Sequence, residues 1–173
     1  IARMDQENVK QIDVLLECYA KSILPEQNIH LMILGDGVRL QEMKTLAKQL
    51  NISAFVDFKG FTPNTENYLK NALFTVLTSK YEGLPTVLVE SLLMKTPVIS
   101  FDCETGPNEI IINRFNGLLI ENQNKEKMVE GMNELVTKKE LYQKLKQNSY
   151  KSANKFQIEA IKEHWIKVIN DTL

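Results

Sequence analysis

The chain has 173 residues, 43% of them hydrophobic and 25% charged, with a formal net charge of -1. That length suffices for one well-buried core, so a single domain over residues 1–173 is expected. The near-neutral charge supplies no global basic field for nucleic acid, no apolar run approaches bilayer-spanning length, and Cys18 and Cys103 lack the close spacing or nearby histidines of a zinc site.

The opening IARMDQ has neither an initiator Met nor a signal-peptide pattern, and Ile1 and Ala2 read as the end of a strand, which makes a fragment of a longer polypeptide the expectation. Ile12, Leu15, Leu16 and Tyr19 recur at helical spacing and predict a helix over about Val9 to Ile23. The apolar run Ile29 to Leu34 predicts a strand closed by Gly35-Asp36-Gly37, followed by a helix over Val38 to Leu50. Phe55 to Phe58 is the next strand, Pro63 to Asn71 a helix, and Leu73 to Thr78 a buried strand. A helix from Pro85 to Met94, a strand from Pro97 to Phe101, a helix at Pro107 to Asn113 and a strand at Gly117 to Ile120 continue the alternation. Helices near Lys125 to Leu135, Lys139 to Ser152 and Gln157 to Asp171 close the chain.

Alternating strands and helices, with strands apolar along their whole length, predict an α/β fold: a Rossmann-like parallel sheet with helices on both faces. Ligands of such sheets bind beyond the carboxyl ends of the strands. Arg3, Gly35-Asp36-Gly37, Gly60-Phe61, the Thr78 to Pro85 loop and the Asp102 to Pro107 loop all follow such ends, so they are expected on one rim.

The block TSKYEGLPTVLVESLLMKTPVIS holds two glutamates, Glu82 and Glu90, with Gly83 and Pro85 between them. Eight positions along one helix would place both on one solvated face, but Pro85 belongs at a helix start and assigns Glu82 to a loop. The first amides of that helix lack internal partners and carry partial positive charge, and Gly83 lets backbone approach a ligand closely. Gly83, Leu84, Pro85 and Thr86 therefore make a phosphate cradle, with one carboxylate beside it and the other about 7 Å along the helix. The alternative is a loop glutamate in water and a second glutamate in a local hydrogen bond.

Gly35-Asp36-Gly37 lacks the third glycine of a dinucleotide fingerprint, since position 40 is Leu, and reads as a tight turn. Glu109, in the first turn of a helix opened by Gly106-Pro107, reads as a helix-start charge. The lysine-rich stretch KKELYQKLKQNSYKSANK reads as solvated helix faces, with anionic lipid as the rival partner, and His30 and His164 read as isolated ordinary positions.

Taken together, Ala2-Arg3 with Lys10 ahead of an amphipathic helix, LMILGDG, FKGFTP, the Glu82 to Glu90 block, GPNEII, FNGLLI and the terminal helix with Trp165 resemble one family. The chain is similar, over nearly its whole length, to the carboxyl-terminal donor-binding domain of GT-B glycosyltransferases of the GT4 type. The resemblance implies a retaining transferase that takes a hexose or N-acetylhexosamine from a nucleotide diphosphate, UDP by the look of the DCETGPNEII loop, without a metal or other cofactor in the pyrophosphate role. Under it, Arg3 and Lys10 neutralise the departing pyrophosphate, Glu82 contacts the donor sugar and Glu90 the ribose, while Gly60 and Phe61 supply backbone contacts to the base. The sequence departs from the common pattern in an Arg3 to Lys10 interval about two residues longer than usual, and in Ala2 where a glycine often stands.

The resemblance further implies a glycan or lipid-linked acceptor held by an amino-terminal domain that this chain lacks, and a role in bacterial surface polysaccharide or lipopolysaccharide assembly. The fragment alone is then expected to be inactive, and the full-length protein cytoplasmic with peripheral contact at the inner face of the membrane. Two rivals stay open: a UDP-sugar epimerase of GT-B architecture, and a non-catalytic α/β module.

Overall fold

The computed structural model describes residues 1–172, apart from the side chains of residues 163, 164, 171 and 172, so the His164 side chain lies outside the described residues. Its strands are β1 (Leu31–Leu34), β2 (Val56–Gly60), β3 (Thr75–Leu77), β4 (Val98–Phe101) and β5 (Gly117–Ile120). Helices α1 (Ile12–Lys21), α2 (Leu40–Gln49), α3 (Thr65–Asn71), α4 (Thr86–Leu93), α5 (Pro107–Ile110), α6 (Lys125–Thr137), α7 (Lys139–Ala153) and α8 (Ile158–Thr172) alternate with and follow them. Every strand pair is parallel, as the unbroken apolar runs imply. The strands form two sheets, β1-β2 and β3-β4-β5, in place of the single sheet expected. Ile1 and Ala2 stand outside both, although the Ala2 N–H donates to the Leu34 carbonyl at 2.8 Å and the Met4 N–H to that of Asp36 at 3.0 Å.

Both faces of the larger sheet are buried. Along β4, Ile99 and Phe101 join a core with α1 and α6 residues such as Leu16, Met128 and Met132, whereas Val98 joins Leu77, Leu88 and Leu92 under α4. Successive strand side chains point to opposite faces, so this alternation is the period-2 consequence of a sheet covered twice. On α4 the buried Leu88 and Leu92 share one face, and the exposed Thr86 and Glu90 share another.

The largest departure from helical spacing lies at the start of α1. Asn8 and Gln11 take left-handed backbone at φ 54° and 45°, so the helix begins at Ile12 instead of Val9. Gly35 and Gly37 are required by close approach: a Cβ would lie 1.8 Å from the Ala2 carbonyl oxygen in one case and 2.1 Å from that of Met4 in the other. The tight-turn reading of this stretch is thus the structural one, and the Asp36 carboxylate accepts the Gly37 N–H at 2.7 Å. The strand expected at Phe55 starts at Val56, because Ser53–Phe55 forms a single 3₁₀ turn. Helix α5 stops at Ile110, three residues early, where buried Asn116 accepts the Ile112 N–H at 2.8 Å and donates to the Ile110 carbonyl at 3.0 Å.

Two measurements follow from this packing. Leu92 is fully buried, so Leu92→Ala is expected to lower stability by about 2–5 kcal/mol in urea unfolding, with the slope against denaturant unchanged. Burial pushes the Cys18 thiol up to about 11 from its ordinary 9.0. The unfolded thiol ionises first as pH rises, so this contribution is complete below pH 9.0 and is lost on passing through about 11. Stability is expected to fall over that window, and less steeply in Cys18→Ala.

Candidate functional site

Parallel strands bring their carboxyl ends to one side, and the loops leaving those ends hold the sequence-predicted residues. Thr78, at the end of β3, is the anchor. Its hydroxyl donates to the carbonyls of Lys10 and Gln11, each at 3.1 Å, and the Lys80 N–H donates to the Val9 carbonyl at 2.8 Å. These bonds fix residues 9–11 over the end of β3 and account for the delayed start of α1. Gln11, buried in its left-handed conformation, is further held by a side-chain pairing with Gln123 at 3.0 and 2.9 Å.

Lys10 so placed meets Glu82 across 72 positions of sequence: its Nζ lies 2.6 Å from Oε1 and 2.8 Å from Oε2. The Ser79 hydroxyl donates to the same Oε1 at 2.5 Å. The Glu82 side chain is 9% exposed and that of Lys10 29%, so the pair sits at the protein's edge with the ammonium side open. An ammonium has three donors and two are spent on Glu82, leaving one for an incoming anion. A carboxylate has about four acceptor sites, of which Lys10 and Ser79 take three. One remains for a hydroxyl.

Beyond Glu82 the chain turns into α4. Pro85 is buried as the residue preceding the helix, Thr86 is its first member, and Leu84 and Thr86 are exposed. The first amides of α4 lie at the positive end of the helix dipole. A neighbouring loop supports this entrance: Tyr81 bridges to Glu104, and the Thr105 hydroxyl donates to the Glu82 carbonyl. Gly106 has φ 89°, and a Cβ there would lie 2.5 Å from the Gly83 carbonyl oxygen and 2.6 Å from Pro85 Cδ. The two loops interlock at that point.

The other expected residues are spread along the rim. Arg3 is exposed between Ala2 and Met4, and its side chain makes no hydrogen bond or ion pair among the described residues. Gly60 ends β2 with φ 70° and its carbonyl accepts the Gly35 N–H at 2.8 Å, which joins two of the predicted loops; Phe61 beside it is 82% exposed. Glu90 is exposed on α4, on the side of Thr86. The 550 Å³ cavity between β1 and β3 touches Lys10 and neither acid.

Sequence reasoning placed Thr78, Ser79, Asp102 and Thr105 on the rim as members of two loops but gave them no individual roles. Asp102, just after β4, has Oδ1 buried with no hydrogen-bond partner among the described residues. The adjacent Cys103 thiol is pushed up by burial and next by Glu82, which places it within reach of the Lys10 and Glu82 charges. The signal for Ser79 was its position three residues before Glu82, inside the block already singled out.

Known proteins share this fold. The family model described as "Glycosyl transferases group 1" matches residues 2–152. An uncharacterised glycosyltransferase of Haemophilus influenzae is 31% identical over 156 residues, covering 90% of this chain and 44% of its own length. A Campylobacter jejuni N-acetylgalactosaminyltransferase acting on a diphospho-undecaprenol substrate is 29% identical, covering all of this chain and 44% of its own. The chain thus spans under half the length of these relatives. Staphylococcus aureus TarM, in a crystal structure with UDP, fondaparinux and alpha-GlcNAc-glycerol, superposes with a TM-score of 0.86 at 27% identity over 97% of this chain and 34% of that one. The chain belongs to the group 1 glycosyl transferases, and its parallel sheets flanked by helices are of the GT-B kind.

Proposed function

We propose that this chain is the donor-binding domain of a retaining glycosyltransferase that moves a hexose or N-acetylhexosamine from UDP to a glycan or lipid-linked acceptor. The observation that carries the proposal is the Lys10–Glu82 pair, held at 2.6 Å in the loop that leads into the first turn of α4. The diphosphate lies against the amides of Gly83 to Thr86, the free donor of Lys10 turns to a phosphate oxygen, and Arg3 adds the second cation. As the sugar–phosphate bond breaks, charge gathers on the diphosphate, and fixed cations with helix-end amides stabilise it without reorganisation. No metal is needed in that role. The remaining acceptor site of Glu82 takes a hydroxyl of the donor sugar, Glu90 takes the ribose, and Gly60 and Phe61 flank the base.

TarM's crystallisation with UDP supports the choice of nucleotide. The relatives named for N-acetylgalactosaminyl and N-acetylglucosaminyl transfer and for amylovoran biosynthesis support a role in bacterial surface glycan assembly, with lipopolysaccharide among the candidates. They also favour transfer over epimerisation. An amino-terminal domain of the full-length protein supplies the acceptor site, so this part alone transfers no sugar. No described helix is long and apolar enough to cross a membrane, and the proposed location is the cytoplasm, at the inner membrane face where a lipid-linked acceptor is reached.

Isothermal titration of UDP into the full-length protein tests the reading. Lys10→Ala and Glu90→Ala each remove a charged hydrogen bond worth about 1.5–3 kcal/mol, so each is expected to weaken UDP binding tenfold or more. Folded variants that bind as tightly as the parent would remove those residues from the site.

A further inference from the structure

The parallel pairing of β3 with β4 continues past the ends of both strands. Thr75, Val76 and Leu77 pair with Val98, Ile99 and Ser100, and further along Tyr81 bridges to Glu104 in the same parallel sense. Equal lengths of chain separate the two pairings on either side, so the register holds across the interval and Ser79 stands opposite Asp102. Neighbouring strands lie about 4.8 Å apart, which brings these two side chains side by side. They also share a face. The Thr75 and Ser91 hydroxyls bond at 2.7 Å, Leu77 packs with Leu88 and Leu92 of α4, and on β4 Val98 joins the same cluster. Counting by two along each strand carries that face to Ser79 and to Asp102, below the loop that opens α4.

Ser79 is committed, since its hydroxyl donates to Glu82 Oε1 at 2.5 Å. Asp102 has no such bond. Its side chain is half-buried, its Oδ1 is shut off from solvent, and among the described residues no group donates to that oxygen. A buried acceptor without a donor is costly, and in a native protein it calls for a specific explanation. The fold supplies none: the Asp102 N–H completes the pairing with β5 by donating to the Ile120 carbonyl at 2.7 Å, while the carboxylate caps neither α4 nor α5. Its charge reaches the same place as that of Glu82. The Cys103 thiol is raised by burial first and then by Glu82, with Asp102 adding to the rise and Lys10 opposing it.

We propose that Asp102 is a second carboxylate of the sugar subsite, accepting a hydroxyl of the donor sugar beside the one that Glu82 holds. The assignment rests on the donor-site reading above and deepens it by naming a residue that selects the sugar. An acid next to a diphosphate would repel it, so Asp102 serves the uncharged end of the ligand. The last torsion of an aspartate side chain is soft, and a small rotation turns the inward oxygen toward an arriving hydroxyl. That hydroxyl supplies the donor which Ser79, already bonded to Glu82, does not.

Isothermal titration of the full-length protein with UDP, UDP-glucose, UDP-galactose and their N-acetylhexosamine counterparts tests the assignment. Asp102→Asn keeps the size of the side chain and removes its charge. It is expected to bind UDP within about twofold of the parent, and to bind the UDP-sugar that the parent prefers about tenfold more weakly. Monodeoxy analogues of that UDP-sugar separate contact from scaffolding. One of them is expected to lose about tenfold on the parent and almost nothing further on Asp102→Asn, the non-additivity of two groups in contact. Should Asp102→Asn fail to fold, Asp102→Glu, which displaces the carboxylate, is read in the same way. Equal losses for UDP and UDP-sugar overturn the proposal by assigning Asp102 to the support of the loops. Parent-like affinity for both overturns it too, leaving the inward oxygen to an ordered water. A parent that binds neither UDP nor any UDP-sugar removes the donor-site reading and this assignment together, whereas a parent that binds them with Asp102→Asn unaffected removes this assignment alone.

Discussion

The Thr78 hydroxyl and the Lys80 N–H, bonded to three successive carbonyls at residues 9–11, are the contacts on which the site depends. Lys10 is a long, flexible side chain whose reach alone would not hold its charge in one place. Anchoring its own backbone to the end of β3 puts the ammonium on Glu82 in the loop that the same strand launches. The left-handed backbone at Gln11 costs on the order of 1 kcal/mol. Its buried amide pairing with Gln123 and the two bonds from Thr78 offset that cost.

The Lys10–Glu82 pair has a second consequence for the chemistry. Pairs at this depth gain little net stability, since two charges give up part of their hydration to meet. Their value lies in position. Glu82 fixes two of the three ammonium donors and so aims the third, while Ser79 fixes the carboxylate that does the aiming. Preorganised groups of this kind do not have to rearrange when charge develops on a leaving diphosphate.

Much of this was legible in the sequence because local chemistry dictated it. Pro85 had to stand at a helix start, and it does; Gly35 and Gly37 had to mark a tight turn, and the Ala2 and Met4 carbonyls lie where any Cβ would go. The parallel, doubly covered sheet followed from strands apolar on both sides. Illegible were features set by partners distant in sequence. Nothing in the local pattern at Val9 to Gln11 announces a bond from Lys80, so helical spacing overran the true start of α1. Asn116 ends α5 from beyond its last turn, and no cap residue at Ile111 foretells it. The Ser79 bond to Glu82 joins near neighbours, yet it forms only because the loop folds back on itself.

The division of the strands into two sheets had no local signature at all. Edge pairing is a property of the gap between elements, and the runs Ile29 to Leu34 and Leu73 to Thr78 do not say which strand edges pair. Natural edge strands are normally blunted by charge, proline or a bulge. The Thr75–Leu77 edge carries no charged side chain, and the irregularity in β1 between Ile33 and Leu34 occurs in its pairing with β2, away from the cavity.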